Sequence, residues 1–140
     1  MTIKQLSVFL ENKTGRINEV ARILGQQGVN MHAFSLAETA DFGILRMIVS
    51  DVEKAKKSLS EAHFAVQLTE VVCFSCPNRP GTLASVLDIL AREAIFIEYM
   101  YAFSEGATAN VVIRPTDVQR CIDILKKSDC PLVSFCDNKD

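Results

Sequence analysis

Apolar and polar residues alternate near the start of the chain and again about halfway along it. Gln5–Leu10 puts Leu6, Val8 and Leu10 on one face, and Val71–Cys76 does the same with Val72, Phe74 and Cys76; period two predicts strands. Helical spacing follows each: Ile17, Val20, Ala21 and Leu24, then Leu83, Val86, Leu87 and Leu90. Gly25 and Gly28 suit the end of the first helix. Val29–Leu36 and Ile95–Phe103 read as second strands, Gly43–Val49 and Ala107–Ile113 as third strands. Ser50-Asp51-Val52-Glu53 and Thr116-Asp117-Val118-Gln119 both match a capping box, in which hydroxyl and acid or amide satisfy orphan N–H groups at a helix start. The helices they open carry the stripes Val52, Ala55, Leu59, Ala62 and Val118, Cys121, Ile122, Leu125, before fourth strands at Phe64–Leu68 and Leu132–Cys136.

The pattern is a repeat. Glu11-Asn12-Lys13-Thr14-Gly15-Arg16-Ile17 aligns with Pro77-Asn78-Arg79-Pro80-Gly81-Thr82-Leu83 at an offset of 66, which also carries Val20 to Val86 and Asp51 to Asp117. In the third strands the offset falls to 64, pairing Met47–Val49 with Val111–Ile113. Two domains are expected, residues 1–68 and 69–140, with Leu68-Thr69-Glu70 the only room for a linker. Each reads βαββαβ. With right-handed crossovers that is an α+β fold of two ferredoxin-like sandwiches in tandem, antiparallel sheets with helices on one face. A unit of about 68 residues is marginal alone. The two units are therefore expected to pack on each other, and the sheet face without helices and the edge strands invite obligate contact, within the chain or between chains as in a homodimer.

An apolar fraction of 49% against 23% charged residues supplies a packed core and excludes disorder. Lys+Arg 15 against Asp+Glu 17 leaves a net charge of −2, with no field drawing the protein to nucleic acid or acidic lipid. No apolar run is long enough for a bilayer, and the start lacks the apolar stretch of a signal peptide. The five cysteines are odd in number and confined to the second half, unlike a secreted disulfide framework. A cytoplasmic protein with reduced thiols and no membrane association is the expectation.

Candidate chemistry lies in the two aligned turns. Glycine there permits close approach of backbone and ligand. The unpaired N–H groups that open a helix favour an anion such as a carboxylate. The amides of Asn12 and Asn78 can both donate and accept, so they suit an ammonium as well. A zwitterion fits such a turn. A tight turn with Asn capping its own backbone uses the same residues.

Asn78-Arg79-Pro80-Gly81-Thr82-Leu83 with the stripe behind it, and Gly28-Val29-Asn30-Met31, resemble the ACT domain, an amino-acid-sensing regulatory module. The resemblance spans both copies and implies a small amino acid bound between domains, through the Asn and Gly of the turn and an Asn opening strand two. The ligand-binding residues it implies are Asn12, Thr14, Gly15, Arg16, Ile17, Asn30 and Met31, with Asn78, Pro80, Gly81, Thr82 and Leu83. Two departures stand out: Phe96 replaces the strand-two Asn in the second copy, and Thr14 stands where the family usually has Pro. A first helix of about 13 residues separates its ends by roughly 20 Å, so Asn12 and Asn30 cannot share one ligand. A complete site then needs the turn of one unit beside strand two of another, which would set Asn78 and Gly81 against Asn30, and Asn12 and Gly15 against the less suitable Phe96.

Other functions are less well served. An RNA-recognition module of this topology needs aromatics on its central strands, where only Phe9 and Phe74 occur. Cys73-Phe74-Ser75-Cys76 is a C-x-x-C, but strand alternation turns its two thiols to opposite faces. The histidines, His32 and His63, have no partners arranged for catalysis, Asp51, Asp117, Glu53 and Gln119 are explained by helix starts, and Lys54, Lys56 and Lys57 by a solvated helix face. The expectation is a free-standing regulator and not an enzyme, with an amino acid and a target enzyme as partners and no catalytic residue, metal or cofactor. The alternative is a metal-binding or purely protein–protein interaction module of the same fold.

Overall fold

The computed structural model describes residues 2–133. Its elements run β1 (Ile3–Glu11), α1 (Arg16–Gln26), β2 (Met31–Glu38), β3 (Phe42–Val49), α2 (Val52–Glu61), β4 (Ala65–Pro77), α3 (Thr82–Arg92), β5 (Ile97–Glu105), β6 (Thr108–Pro115) and α4 (Val118–Lys127). The result is an α+β fold of tandem ferredoxin-like sandwiches. Contacts divide it into two units, one spanning Lys4–Thr69 and one continuing from Glu70.

In the first unit the strand order is β2-β3-β1-β4. β3 lies antiparallel to both neighbours, with Leu45 opposite Val8 of β1 and Leu36 of β2. Alternation then commits Leu6, Val8, Leu10, Leu45 and Met47 to one face, where they meet Val20 and Leu24 of α1 and Ala55 and Leu59 of α2; Phe64, Val66 and Leu68 pack against the same core. The second unit repeats the plan in the order β4-β6-β5. Its register sets Val72 opposite Ile113 and Cys76 opposite Ala109, where the first unit sets Leu6 opposite Met47 and Leu10 opposite Gly43, so the offset stays at 66 through the third strands and the expected fall to 64 is corrected. There Val72, Phe74, Val111 and Ile113 pack on Val86 and Leu90 of α3 and Cys121, Ile122 and Leu125 of α4. Past α4 the chain turns back along β4: Phe74 bridges Leu132, and the N–H groups of Ser75 and Val133 donate to the carbonyls of Pro131 and Cys73, both at 2.9 Å. This is the start of the predicted fourth strand, whose remainder, residues 134–136, lies outside the described residues.

All four helices end alike. Gly28, His63, Ala94 and Asp129 have φ of +70°, +70°, +57° and +54°. In each case the next amide reaches back into the helix: Val29 to Leu24, Phe64 to Leu59, Ile95 to Leu90 and Cys130 to Leu125, at 2.9–3.0 Å. This is the Schellman termination, and three of its four left-handed residues are not glycine.

Several sequence expectations are corrected. Leu68-Thr69-Glu70 is not a linker but the middle of β4, because the alternation through Val66, Leu68, Val72 and Phe74 keeps its phase with no Gly or Pro to break it. Gly25 lies inside α1, leaving Gly28 as the cap. The buried stripe of α1 is Val20, Ile23 and Leu24; Ile17 and Ala21 are exposed. Ala62 is likewise exposed, beyond the end of α2. Neither capping box forms. Asp51 and Asp117 are the N-caps, their carboxylates accepting from Lys54 and Arg120 N–H at 3.1 and 3.0 Å. Ser50 and Thr116 are instead bonded to the strand-two start: the Asn30 N–H donates to the Ser50 hydroxyl, and the Thr116 hydroxyl donates to the Phe96 carbonyl. On the sheet face without helices, Gln5, Ala33, Ile48, Cys73 and Val112 are buried and Phe9 is exposed.

Candidate functional site

The two glycine turns have one geometry. Gly15 stands before α1 at φ 92°, ψ −8°, and Gly81 before α3 at φ 87°, ψ −13°; neither helix start has a side-chain cap. The same three backbone bonds hold each turn: Lys13 to Glu11, Arg16 to Lys13 and Glu19 to Gly15 in the first, Arg79 to Pro77, Thr82 to Arg79 and Ser85 to Gly81 in the second. With these made, the amides of Ile17 and Asn18, and of Leu83 and Ala84, have no backbone acceptor among the described residues. Paired free donors at a helix N-terminus form a positive pole suited to a carboxylate.

Around the first turn is a cavity of about 290 Å³. Four of the residues expected to bind ligand, Asn12, Thr14, Arg16 and Ile17, lie in its wall; Leu10, Glu11, Lys13, Leu36, Glu38 and Gly43 complete it. Sequence reasoning missed this second group. Gly43 carried the one available signal, a small residue opposite Leu10 at the start of β3. A Cβ there would lie 3.4 Å from Leu36 Cδ1 and 3.9 Å from Asn12 Oδ1, so the absent side chain is part of the opening.

Charge at this turn is balanced. Glu11 pairs with Lys13 at 3.0 Å and Arg16 at 3.5 Å, and Arg16 also reaches Glu19 at 2.9 Å. Lys13, then Arg16, holds the Glu11 carboxyl below its usual range; Glu19, then Glu11, raises the pKa of Arg16. Arg16 lies over the Phe64 ring at 5.9 Å, on the rim of a neighbouring cavity of about 470 Å³ with Phe9, Phe42 and His63. The equivalent cavity of the second unit, about 290 Å³, has Ser75, Thr82, Asp129 and Cys130 in its wall and lacks the Glu11 and Arg16 charges of the first.

Asn30 and Met31 lie at the far end of their own unit. Met31 is opposite Val49 and Leu10 is opposite Gly43, so the length of β3 separates Asn30 from Asn12, about 20 Å at ~3.4 Å per residue. The Asn30 backbone bonds to Ser50 through both its N–H and its carbonyl, as the Phe96 carbonyl does to Thr116, so the Asn-to-Phe difference falls on the exposed side chain and not on the fold. In the second turn the Asn78 N–H donates to the Ala107 carbonyl at 2.8 Å. The Thr82 hydroxyl donates back to the Pro77 and Arg79 carbonyls, fixing the turn from within, and Leu83 packs against the core. Pro80 and Gly81 lie in the turn itself, with Gly81 exposed.

The C-x-x-C thiols do face apart. Cys76 belongs to the helix-side core and Cys73 does not, and burial, then the Glu105 charge, pushes the Cys73 thiol up to about 12. Among the described residues no three His, Cys, Asp or Glu side chains cluster to hold a metal, and no helix is long and apolar enough to cross a membrane.

Comparison with known proteins identifies the family and the fold. Residues 1–139 match the profile of the ACT domain pair. Protein BT0572 from Bacteroides thetaiotaomicron has a crystal structure similar to this chain with a TM-score of 0.94 at 53% identity, covering 98% of this chain and 95% of that one. The regulatory subunit of aspartate kinase from Thermus thermophilus, in its ligand-free form, shares the fold at a TM-score of 0.66 and 12% identity, over 89% and 91% of the two chains. That from Thermus flavus shares it at 0.61 and 13%, over 90% and 92%. Among curated proteins nothing matches. On the match along its whole length, this chain belongs to the ACT domain pair family.

Proposed function

We propose that the protein is a regulator that binds a small amino acid at its glycine turns, with residues 1–68 and 69–140 as its two sensing modules and no catalysis of its own. The observation that carries this reading is the first turn: two amides with no backbone acceptor among the described residues suit a carboxylate, while Asn12 and Glu38 on the same cavity suit an ammonium. Backbone donors read the part common to all amino acids. The apolar walls of Leu10, Ile17 and Leu36 leave room for a small side chain. Asn30, a strand length away, serves the turn of a neighbouring ACT unit, and the Asn78 turn completed by such an Asn is the stronger site, since Phe96 offers no amide.

Phe34 and Leu36 on the edge strand β2 are 62% and 52% exposed, which supports a homodimer. Ligand that ties two units together favours one arrangement of them over another, and the difference in affinity is what a target enzyme in the cytoplasm would read. The test is calorimetric titration of the intact protein with its amino acid. Asn78→Ala and Asn30→Ala weaken binding at least tenfold in this account; unchanged affinity in both variants overturns the assignment.

A further inference from the structure

The antiparallel pairing that carries Pro131–Val133 along β4 fixes which residues face each other. Phe74 is opposite Leu132, and the bonds from Ser75 to Pro131 and from Val133 to Cys73 make this a non-hydrogen-bonded pair. Carried two residues further past the bond from Ser75 to Pro131, the same register would set Cys76 against Cys130. Positions of this kind bring Cα atoms to about 4.5 Å, inside the ~4.4–6.8 Å span that a disulfide bridges. Side-chain placement agrees. Cys130 Sγ lies 3.9 Å from the Ser75 carbonyl oxygen, and both cysteines line the same cavity of about 290 Å³.

The repeat sharpens the case. Under the 66-residue offset Cys76 corresponds to Leu10 and Cys130 to Phe64, both hydrocarbon side chains packed on the first unit's core. In the second unit both members of that facing pair are thiols. The C-x-x-C read from sequence is therefore not the reactive pair: Cys73 faces away, and Cys76 has its partner across the strands. Burial, then proximity of Cys76, pushes the Cys130 thiol up to about 11, which favours the reduced form and makes exchange slow at neutral pH.

We propose that Cys76 and Cys130 form a cross-strand dithiol that closes reversibly to a disulfide by exchange with a small-molecule disulfide of the glutathione class. Cys130, half-buried and the more accessible, loses its proton and attacks one sulfur of the oxidant, releasing one thiol. Cys76 then loses its proton and attacks Cys130 in the mixed disulfide, releasing the second thiol. Two cysteine thiols are oxidised, one external disulfide is reduced to two thiols, and the new bond pins the end of β4 just ahead of the Asn78–Gly81 turn.

The test is incubation of the full-length chain with oxidised glutathione, alkylation of free thiols and fragmentation of the linked tryptic peptides. A bond between Cys76 and Cys130 is expected, retained in Cys136→Ser, lost in Cys130→Ser, and accompanied by a rise of several degrees in Tm that a reductant reverses. Cys130→Ser, at a half-buried position, tests the pairing without disturbing the core as Cys76→Ser could; circular dichroism confirms its fold. A bond through Cys136 or Cys121, stable glutathione adducts without an internal bond, or two free thiols after oxidation each overturn the proposal.

Discussion

Gly15 and Gly81, 66 residues apart, hold the same left-handed backbone conformation at the heads of α1 and α3. A Cβ at either position would meet nothing within 4 Å. Backbone strain, not space, therefore sets the cost of a substitution. Gly81→Ala is expected to destabilise the protein by about 1–2 kcal/mol and to weaken amino-acid binding as the turn relaxes. Urea denaturation measures the first effect and titration the second.

Ala94 offers the converse experiment. It holds the left-handed cap of α3 at φ +57°, where the first unit has Gly28 at +70°. Ala94→Gly removes the Cβ clash and is expected to stabilise by about 1 kcal/mol, net of the entropy a glycine loses on folding. A fall in stability would mean that the alanine methyl makes a contact worth more than the strain.

The helix caps separate two readings of the same tetrapeptide. With Asp51 and Asp117 accepting from Lys54 and Arg120, Asp117→Ala should cost about 1 kcal/mol as an ordinary N-cap loss. Gln119→Ala should cost little, because its amide donates to Asp123 and the Thr116 N–H donates to the Phe96 carbonyl instead of to Gln119. Equal losses would restore the capping box.

Glu11 links stability to pH. Its carboxyl is held below its ordinary value of 4.5 by Lys13 first and Arg16 next. A lowered folded-state pKa contributes stability at pH above the unfolded-state value and loses it as pH falls through the folded one. Unfolding followed from neutral to acid pH should show a shallower acid loss in Glu11→Gln than in the parent, and the difference should shrink in high salt because the group is fully exposed.

Gly43 tests the cavity without touching the turn. Gly43→Ala places a methyl 3.4 Å from the exposed Leu36 side chain, which can give way, and 3.9 Å from Asn12 Oδ1. The fold should hold, since Ala109 occupies the equivalent place opposite Cys76 in the second unit. Affinity for the amino acid at the first turn should fall while Tm without ligand stays within a few degrees.

What the sequence made legible was local and periodic. The 66-residue repeat, the glycine turns and the strand faces all follow from residue spacing, and the turn bonds recur as the alignment implies. Tertiary partners were not legible. Ser50 looked like a cap because nothing in the chain announces Asn30, 20 positions earlier, as its partner. Phe9 reads from sequence as a strand residue and Phe42 falls just ahead of the expected third strand, yet their exposure beside Arg16 and His63 is a property of the assembled unit. Cys76 drew attention through its spacing to Cys73, while Cys130, 54 residues away in sequence, shares a cavity wall with it only once the chain turns back along β4.

A thermal-shift screen of the intact protein against the standard amino acids tests the central claim most directly. One small amino acid should raise Tm in a concentration-dependent way, reaching about 2.7 kcal/mol of stabilisation at 100 times its Kd, and Asn78→Ala should abolish most of the shift. No shift from any amino acid at millimolar concentration, or a shift that survives both Asn12→Ala and Asn78→Ala, would contradict the account.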